Sequence, residues 1–446
     1  MAELYRQRWS GRHQRVILVG IVLPADPLDG EDPLEELRSL VRTAGAEVVG
    51  EMVVRRNNIH PGLFIGTGKA REIARYAESL NADVVVFDTD LSPAQIRELE
   101  RIISRRVLDR SEVILDIFAR HARSRQAGLQ VELAQLEYTY PRLSHMWTHL
   151  GRVAGRAGTP AAAVGGIGTR GPGEKQIEID RRLIRKRITQ LKRKLAAIDK
   201  QRQRAVAKRR EHFLVCLVGY TNAGKSSLMN LLTSAGVSVA DKLFETLDTR
   251  TRRWKITASQ VALLSDTVGF ISRLPHHLIA AFRATLEEVV GADLLLHVAD
   301  ASHRQVDQHI QAVGKVLHEI GCSQKDQVLL LNKIDKIVDP TVRTILANKY
   351  PHAIFVSAVT GEGADRITRT VLEKMRGREV NITIEADYTN GRLMQYLAHH
   401  ARSLGRSFHH QRIRMTATIG KEHLAVLRRF GEDVMILSPS EREGQE

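Results

Sequence analysis

Cysteine is nearly absent from these 446 residues; Cys216 and Cys322 are the only two. One lies in an apolar run and the other in a loop stretch, so neither a disulfide framework nor a cysteine-ligated zinc site can form, and a reducing compartment is expected. Aromatic residues make up only 5% of the chain. Acidic residues are outnumbered, 51 against 67 Lys and Arg, for a formal net charge of +16. No apolar run reaches the roughly eighteen residues that a membrane-crossing helix needs. The opening MAELYRQRWSGRHQR lacks the apolar core of a secretory signal. The length allows two to four domains, each with its own core, and the expectation is a cytoplasmic protein.

What is present starts with residues 213–218 (FLVCLV), a continuous apolar run of the kind a strand buried on both faces of a parallel sheet requires. It leads into Gly219-Tyr220-Thr221-Asn222-Ala223-Gly224-Lys225-Ser226, then Ser227 and an apolar helix start at 228–232. In a strand–loop–helix context this pattern is a P-loop. Its backbone N–H groups cradle phosphates at the positive end of the helix. Lys225 reaches the β- and γ-phosphates and the Ser226 hydroxyl ligates Mg²⁺. By contrast, Gly66-Thr67-Gly68-Lys69 lacks the first glycine at the required spacing, and Ala70 offers no Mg²⁺ ligand. It reads as a tight turn into a helix.

Further parts follow in order. Residues 261–264 form an apolar strand ending in Asp266-Thr267-Val268-Gly269. An Asp at a strand end can hold Mg²⁺ through water, and the Gly269 N–H can meet the γ-phosphate. Residues 294–298 and 328–331 read as core strands, the second followed by Asn332-Lys333-Ile334-Asp335. Asp335 can accept two N–H bonds from guanine, a donor pair that adenine does not present. Residues 354–356 then lead into Ser357-Ala358, which resembles a guanine-supporting loop. In this order and at these separations the four elements imply GTP and GDP as ligands.

Two positions bear on mechanism. Where a Ras-like protein carries a water-positioning glutamine after the Asp-x-x-Gly glycine, this chain carries Phe270, which cannot orient a proton. Slow intrinsic hydrolysis is expected, with the water positioned by another residue or by a partner. Asn222 either helps bind K⁺ between the phosphates, as in cation-stimulated GTPases, or closes the loop by its own hydrogen bonds.

The charge is concentrated. Residues 181–210 hold about fourteen Lys and Arg against one acid, Asp199. Ile184, Ile188, Leu191, Leu195 and Ile198 are spaced four, three, four and three, a seam for a partner helix with the basic residues facing out. Such a face is either solvated or bound to a polyanion, and its density and single sign favour the polyanion. With no aromatics in it, phosphate-backbone contact rather than base stacking is expected.

Upstream, residues 15–23, 46–54 and 82–87 read as strands, and 33–43, 70–80 and 93–104 as helices, giving a small α/β domain with a mostly parallel sheet. A long helical pattern starts at Ser111, as N-cap, breaks near 126–128 and runs to about Tyr140, where Pro141 stops or kinks it. The Gly/Ala-rich stretch 151–173 is a loop joining it to the basic helix as an antiparallel hairpin. Beyond Val380 the pattern reads strand, helix (393–404), strand, helix, strand. His399, His400, Arg402, Arg406, His409 and His410 there either meet RNA or protein or are simply solvated. The expected architecture is α/β and multidomain: an N-terminal α/β domain (1–110), a helical hairpin and linker (111–211), a P-loop GTPase domain (212–378) and a small α+β domain (379–446).

The chain resembles the HflX family of translation-factor-class GTPases over nearly its whole length. The resemblance is carried by Phe87-Asp88 with Leu91-Ser92-Pro93-Ala94-Gln95, by Ile114-Leu115-Asp116-Ile117-Phe118-Ala119, by LQVELAQL at 129–136, and by the glycine-rich stretch 165–174 with Gln176, Glu178 and Asp180. In the GTPase part it is carried by residues 219–226, by Phe244 with Thr246-Leu247-Asp248, and by residues 266–271 followed by Leu274-Pro275. It implies a cytoplasmic, monomeric GTPase that binds the large ribosomal subunit and its ribosomal RNA, and splits or rescues stalled ribosomes, often under stress. It also implies Thr246 as the switch threonine that senses the γ-phosphate and Mg²⁺, and ribosomal stimulation of hydrolysis. Catalysis then falls to Lys225, Thr246 and Gly269, and Mg²⁺ to Ser226, Thr246 and Asp266. An assembly switch or an RNA chaperone without splitting activity is the alternative. The chain departs from the family pattern at Thr249-Arg250, where Pro-Thr is usual, at Lys175, where threonine is usual, and in a longer loop at 151–164.

Overall fold

The computed structural model describes residues 14–24, 32–143, 172–209, 212–233, 244, 250–257, 260–271, 286–409, 412–420, 423–427, 430–431 and 434–440. Of the stretch 151–173 expected as a loop, residues 151–171 lie outside these residues, as does Thr246, while Pro172 and Gly173 are already helical. The chain divides into two units, Met1–Asp199 with Asp241–Asp248 and Arg273–Arg283, and Lys200–Ala240 with Thr249–Ser272 and Ala284–Glu446.

In the first unit, β1 (Arg15–Val22), β2 (Glu47–Arg55), β3 (Val84–Phe87) and β4 (Arg106–Asp109) form a parallel sheet in the order β2-β1-β3-β4. Sequence explains the pairing: VVVF of β3 is buried at all four positions, as a central strand covered on both faces must be. Helices α1 (Glu35–Thr43), α2 (Thr67–Ser79) and α3 (Pro93–Ile103) connect the strands. Helix α3 starts sharply because Ser92 and Gln95 form a reciprocal capping box with Pro93 in the first turn.

Helix α4 (Arg110–His121) and helix α5 (Arg125–Thr139) follow, and the long α6 (Pro172–Arg209) packs back on α5. Leu133, Leu136 and Leu143 meet Ile184, Leu191 and Leu195 in one apolar cluster, with Ile188 partly buried against it. The seam spacing has its partner. The basic face is not wholly outward, however: Arg187 makes a two-pronged ion pair with Glu132 at 2.7 and 2.9 Å, and Lys192 pairs with Glu137 at 2.8 Å.

The second unit holds β5 (Phe213–Gly219), α7 (Lys225–Thr233), β6 (Arg250–Lys255), β7 (Val261–Asp266), β8 (Leu294–Asp300), α8 (Val306–Glu319), β9 (Gln327–Asn332), α9 (Pro340–Lys349), β10 (Ile354–Phe355) and α10 (Ala364–Arg376). The sheet order is β10-β9-β8-β5-β7-β6, parallel except for β6. The carboxyl ends of β5, β7, β8 and β9 thus converge beside the point where the strand order reverses, where open α/β sheets bind ligands. A second, antiparallel sheet in this unit has the order β12-β13-β11-β14, from β11 (Glu379–Asp387), β12 (Ser403–His409), β13 (Arg412–Gly420) and β14 (Met435–Ser440). Leu393 and Leu397 of α11 (Gly391–His400) are buried in its core.

Several local expectations are corrected. The N-cap of α4 is Asp109, whose carboxylate accepts the Glu112 N–H, while Ser111 is already helical and buried. The break between α4 and α5 falls at 122–124 rather than 126–128, because Ser124 caps the new helix by accepting the Ala127 N–H. Strands β4 and β6 are additions. RTRRWK of β6 reads as a charged stretch, yet Trp254 is buried while its neighbours are exposed, the alternation of an edge strand. Beyond α11 the chain forms the β12–β13 hairpin; the helix ends at His400, and Leu404 is in a strand.

Candidate active site

Between β5 and α7 the chain turns through the P-loop. Asn222 sits in the left-handed region with φ of 60°, and Gly224 has φ of 92°. A side chain at Gly224 would put its Cβ 2.2 Å from Asn332 Nδ2, so glycine is required for a close approach as well as for the turn. Asn332, 1% exposed, uses that space. Its amide donates to the Ala223 carbonyl at 2.9 Å and its carbonyl accepts the Ala358 N–H at 3.1 Å. It is a strut tying the P-loop to the 357–358 loop. Asp335 accepts a hydrogen bond from the Ser357 hydroxyl at 2.6 Å, which orients the carboxylate that would meet guanine. Lys333, also left-handed at φ of 63°, is held by Asp300 at 2.7 Å.

At the phosphate end, Lys225 is 6% exposed and donates to the carbonyls of Gly219 at 3.2 Å and Tyr220 at 2.8 Å. Burial lowers its pKa to about 8, with Asp266 pulling upward and Lys333 adding to the fall. The Ser226 hydroxyl donates to Asp266 Oδ2 at 2.7 Å, and Asp266 is fully buried. A hydroxyl and a carboxylate at this separation are a hard-oxygen pair that suits Mg²⁺ shared with phosphates. Among the described residues no group of three or more His, Cys, Asp or Glu gathers.

The segment after β7 is laced to the P-loop. The Thr267 hydroxyl donates to the Leu217 carbonyl at 2.7 Å, the Phe270 N–H to the Gly219 carbonyl at 3.1 Å, and the Thr221 N–H to the Phe270 carbonyl at 2.7 Å. These bonds set Gly269 beside Thr221 and Lys225. Ser227 is half-buried in the first turn of α7.

Some participants were not legible as such. Asp300 ends β8, and its place at a carboxyl end is the signal that could have found it. His297 on the same strand is 6% exposed and its pKa falls to about 4, through burial first and Lys225 second. The Tyr220 ring stacks on His309 of α8, with centroids 3.8 Å apart and planes 9° from parallel.

A P-loop, a buried Ser–Asp pair and the linked Asn332, Asp335 and Ser357 on a largely parallel sheet are the arrangement of a P-loop GTPase. Residues 214–333 match the family described as 50S ribosome-binding GTPase, residues 31–119 that described as GTP-binding GTPase N-terminal, and residues 121–209 its Middle Region. GTPase HflX of Escherichia coli (strain K12) is 44% identical over 384 residues, 85% of this chain and 87% of that protein. GTPase HflX of Lacrimispora saccharolytica is 40% identical over 416 residues, 93% of this chain and 95% of that protein. A GTP-binding protein from Sulfolobus solfataricus, whose crystal structure holds GDP, is 24% identical and overlaps 80% of this chain and 98% of that one at a TM-score of 0.40. The chain belongs to the HflX family of GTPases.

Proposed function

We propose that this GTPase binds the large ribosomal subunit through its ribosomal RNA and, in the GTP state, splits or rescues stalled ribosomes, with hydrolysis to GDP and phosphate releasing it. The observation that carries this reading is the outer face of α6. Arg182, Arg185, Lys186, Arg193 and Lys194 are exposed there, while Ile184, Leu191 and Leu195 are buried against α5. A rigid rod bearing cations of one sign suits a phosphate backbone. That two relatives carry the name GTPase HflX, and that one matching family is described as 50S ribosome-binding, supports the same target.

Ser226, Asp266 and Thr246 would hold Mg²⁺, which neutralises charge developing on the β- and γ-phosphates. Asn222 is the residue for a K⁺ ion beside them. Lys225, Thr246 and Gly269 would act on the γ-phosphate, and loss of those contacts on hydrolysis is the switch. Hydrolysis is slow alone and stimulated on the ribosome. The division into 1–110, 111–211, 212–378 and 379–446 separates the RNA-contacting parts from the nucleotide-driven one. The reading places the protein in the cytoplasm as a monomer. No helix among the described residues is long and apolar enough to cross a membrane.

With a non-hydrolysable GTP analogue, the protein should sediment with large subunits and lower the light scattering of intact ribosomes. Binding without a fall in scattering would sink the splitting claim and leave an assembly switch. Similar affinity and salt slope for arbitrary RNA would point to a chaperone. Charge reversal of Arg182, Arg185, Lys186, Arg193 and Lys194 should weaken subunit binding and leave nucleotide affinity intact.

A further inference from the structure

Position 270 cannot manage a proton, because it holds a phenylalanine that is 4% exposed. Its backbone is also committed, the N–H to Gly219 and the carbonyl to Thr221. We propose that the hydroxyl of Thr221, in the P-loop itself, positions the attacking water in its place. The inference rests on the GTP hydrolysis of the reading above and is independent of the ribosome.

Thr221 is 6% exposed, and its Oγ1 is buried with no hydrogen-bond partner among the described residues. Leaving a buried hydroxyl unmatched is costly, so such groups persist where something that binds supplies the partner. Its location names that something. A Cβ built on Gly269 would lie 2.7 Å from Thr221 Cα, 2.8 Å from Thr221 Cγ2 and 3.0 Å from Lys225 Nζ. Thr221 and Lys225 therefore close tightly on Gly269, with the Thr221 methyl against it and the hydroxyl on the same Cβ. Gly269 and Lys225 are the groups that meet a γ-phosphate, so Thr221, whose buried hydroxyl shares a Cβ with that methyl, stands beside the end of the triphosphate where water must attack.

The chemistry suits a hydroxyl. As the water oxygen bonds to the γ-phosphorus, the bond to the β,γ-bridging oxygen breaks and its electron pair leaves with GDP. One water proton passes to a γ-phosphate oxygen. Thr221 Oγ1 accepts a hydrogen bond from the water, aiming its lone pair, and can donate its own hydrogen to a phosphate oxygen. It ends the step unchanged. The β-branch restricts its rotamer, and the Thr221 N–H bond to Phe270 fixes its backbone.

The test uses the full chain with Mg²⁺·GTP and no ribosome. Thr221→Val keeps the shape and removes the hydroxyl, whereas Thr221→Ser keeps the hydroxyl and removes the methyl. Single-turnover hydrolysis should fall on the order of 10²-fold in the valine variant. The serine variant should stay within about fivefold of the parent, and affinities for GDP and a GTP analogue should stay within about twofold for both. Hydrolysis by T221V at the parental rate would overturn the proposal, as would T221S falling as far as T221V. A parallel loss of GDP affinity in T221V would also overturn it, making Thr221 a packing residue. A parent chain that binds GTP but never hydrolyses it would instead overturn the GTPase reading beneath.

Discussion

Two sheets in this chain feed glycine-containing turns into helices, and the first turn of each helix carries a lysine. Beside the N-terminal sheet Gly66 leads into α2, whose first turn holds Thr67, Gly68 and Lys69, and Lys69 pairs with Glu72 at 2.7 Å with its side chain 30% exposed. In the GTPase sheet Lys225 is buried among loop carbonyls, Ser226 faces Asp266, and Asn332 braces the loop from a distant strand. The difference lies less in the turn than in what the neighbouring strands bring to it. A helix N-terminus alone favours anions only modestly, and convergent groups from three further segments make it a site.

That contrast is open to experiment. The largest effect should come from Asp335→Asn, which replaces a double acceptor by a group that also donates. Discrimination for GTP should drop by ~10⁴-fold in competition against xanthosine triphosphate. Unchanged guanine preference would remove Asp335 from the cradle. Next, Lys225→Ala should cut single-turnover hydrolysis by ~10²–10³-fold, while Lys69→Ala leaves it alone. A matching loss in the Lys69 variant would give the N-terminal sheet a nucleotide role.

The two sheets should also respond oppositely to acid. Asp109, at the end of β4, is fully buried, and burial raises its pKa from 3.8 to about 6 despite Arg142 and the Tyr138 hydroxyl. Its protonated form is favoured by the fold, so that contribution is complete below pH 3.8 and is lost as pH rises through about 6. His297 runs the other way: its pKa falls from 6.5 to about 4, so its contribution is complete above pH 6.5 and is lost as pH falls toward 4. Each shift corresponds to about 3 kcal/mol. Hydrogen exchange at pH 7 and pH 5 should show β3 and β4 gaining protection relative to β5 and β8. A uniform change across both sheets would refute the assignment. The smallest effect belongs to the Arg187–Glu132 pair; both residues are half-exposed, so a double-mutant cycle should give only ~0.2–1 kcal/mol.

Much of the candidate nucleotide site is legible in the sequence because its parts are local. A P-loop is a run of consecutive residues whose backbone does the binding, so Gly224, Lys225 and Ser226 announce themselves. The strands before it and the α6 seam were legible for a similar reason, since burial on a regular element leaves a periodic trace. Asp109 was misread because Ser111 is an equally good cap by type, and only the bond to the Glu112 N–H decides between them. Strand β6 was missed because an edge strand with a single buried Trp254 leaves almost no pattern.

By itself the sequence determined the ligand: guanine nucleotide chemistry needs particular atoms at short spacings, and those spacings are written in the chain. Only the tertiary structure decided how those pieces support one another. Asn332 reaches Ala223 across 109 residues, Ser226 meets Asp266 across 40, and Phe270 binds the P-loop through its backbone. Such contacts leave no periodic mark, because they depend on strand order and on which side chains the packed sheet brings to one edge. The unmatched hydroxyl of Thr221 is of the same kind. In the sequence it is one threonine in a loop, and its meaning comes from burial, which takes away the water that would otherwise satisfy it.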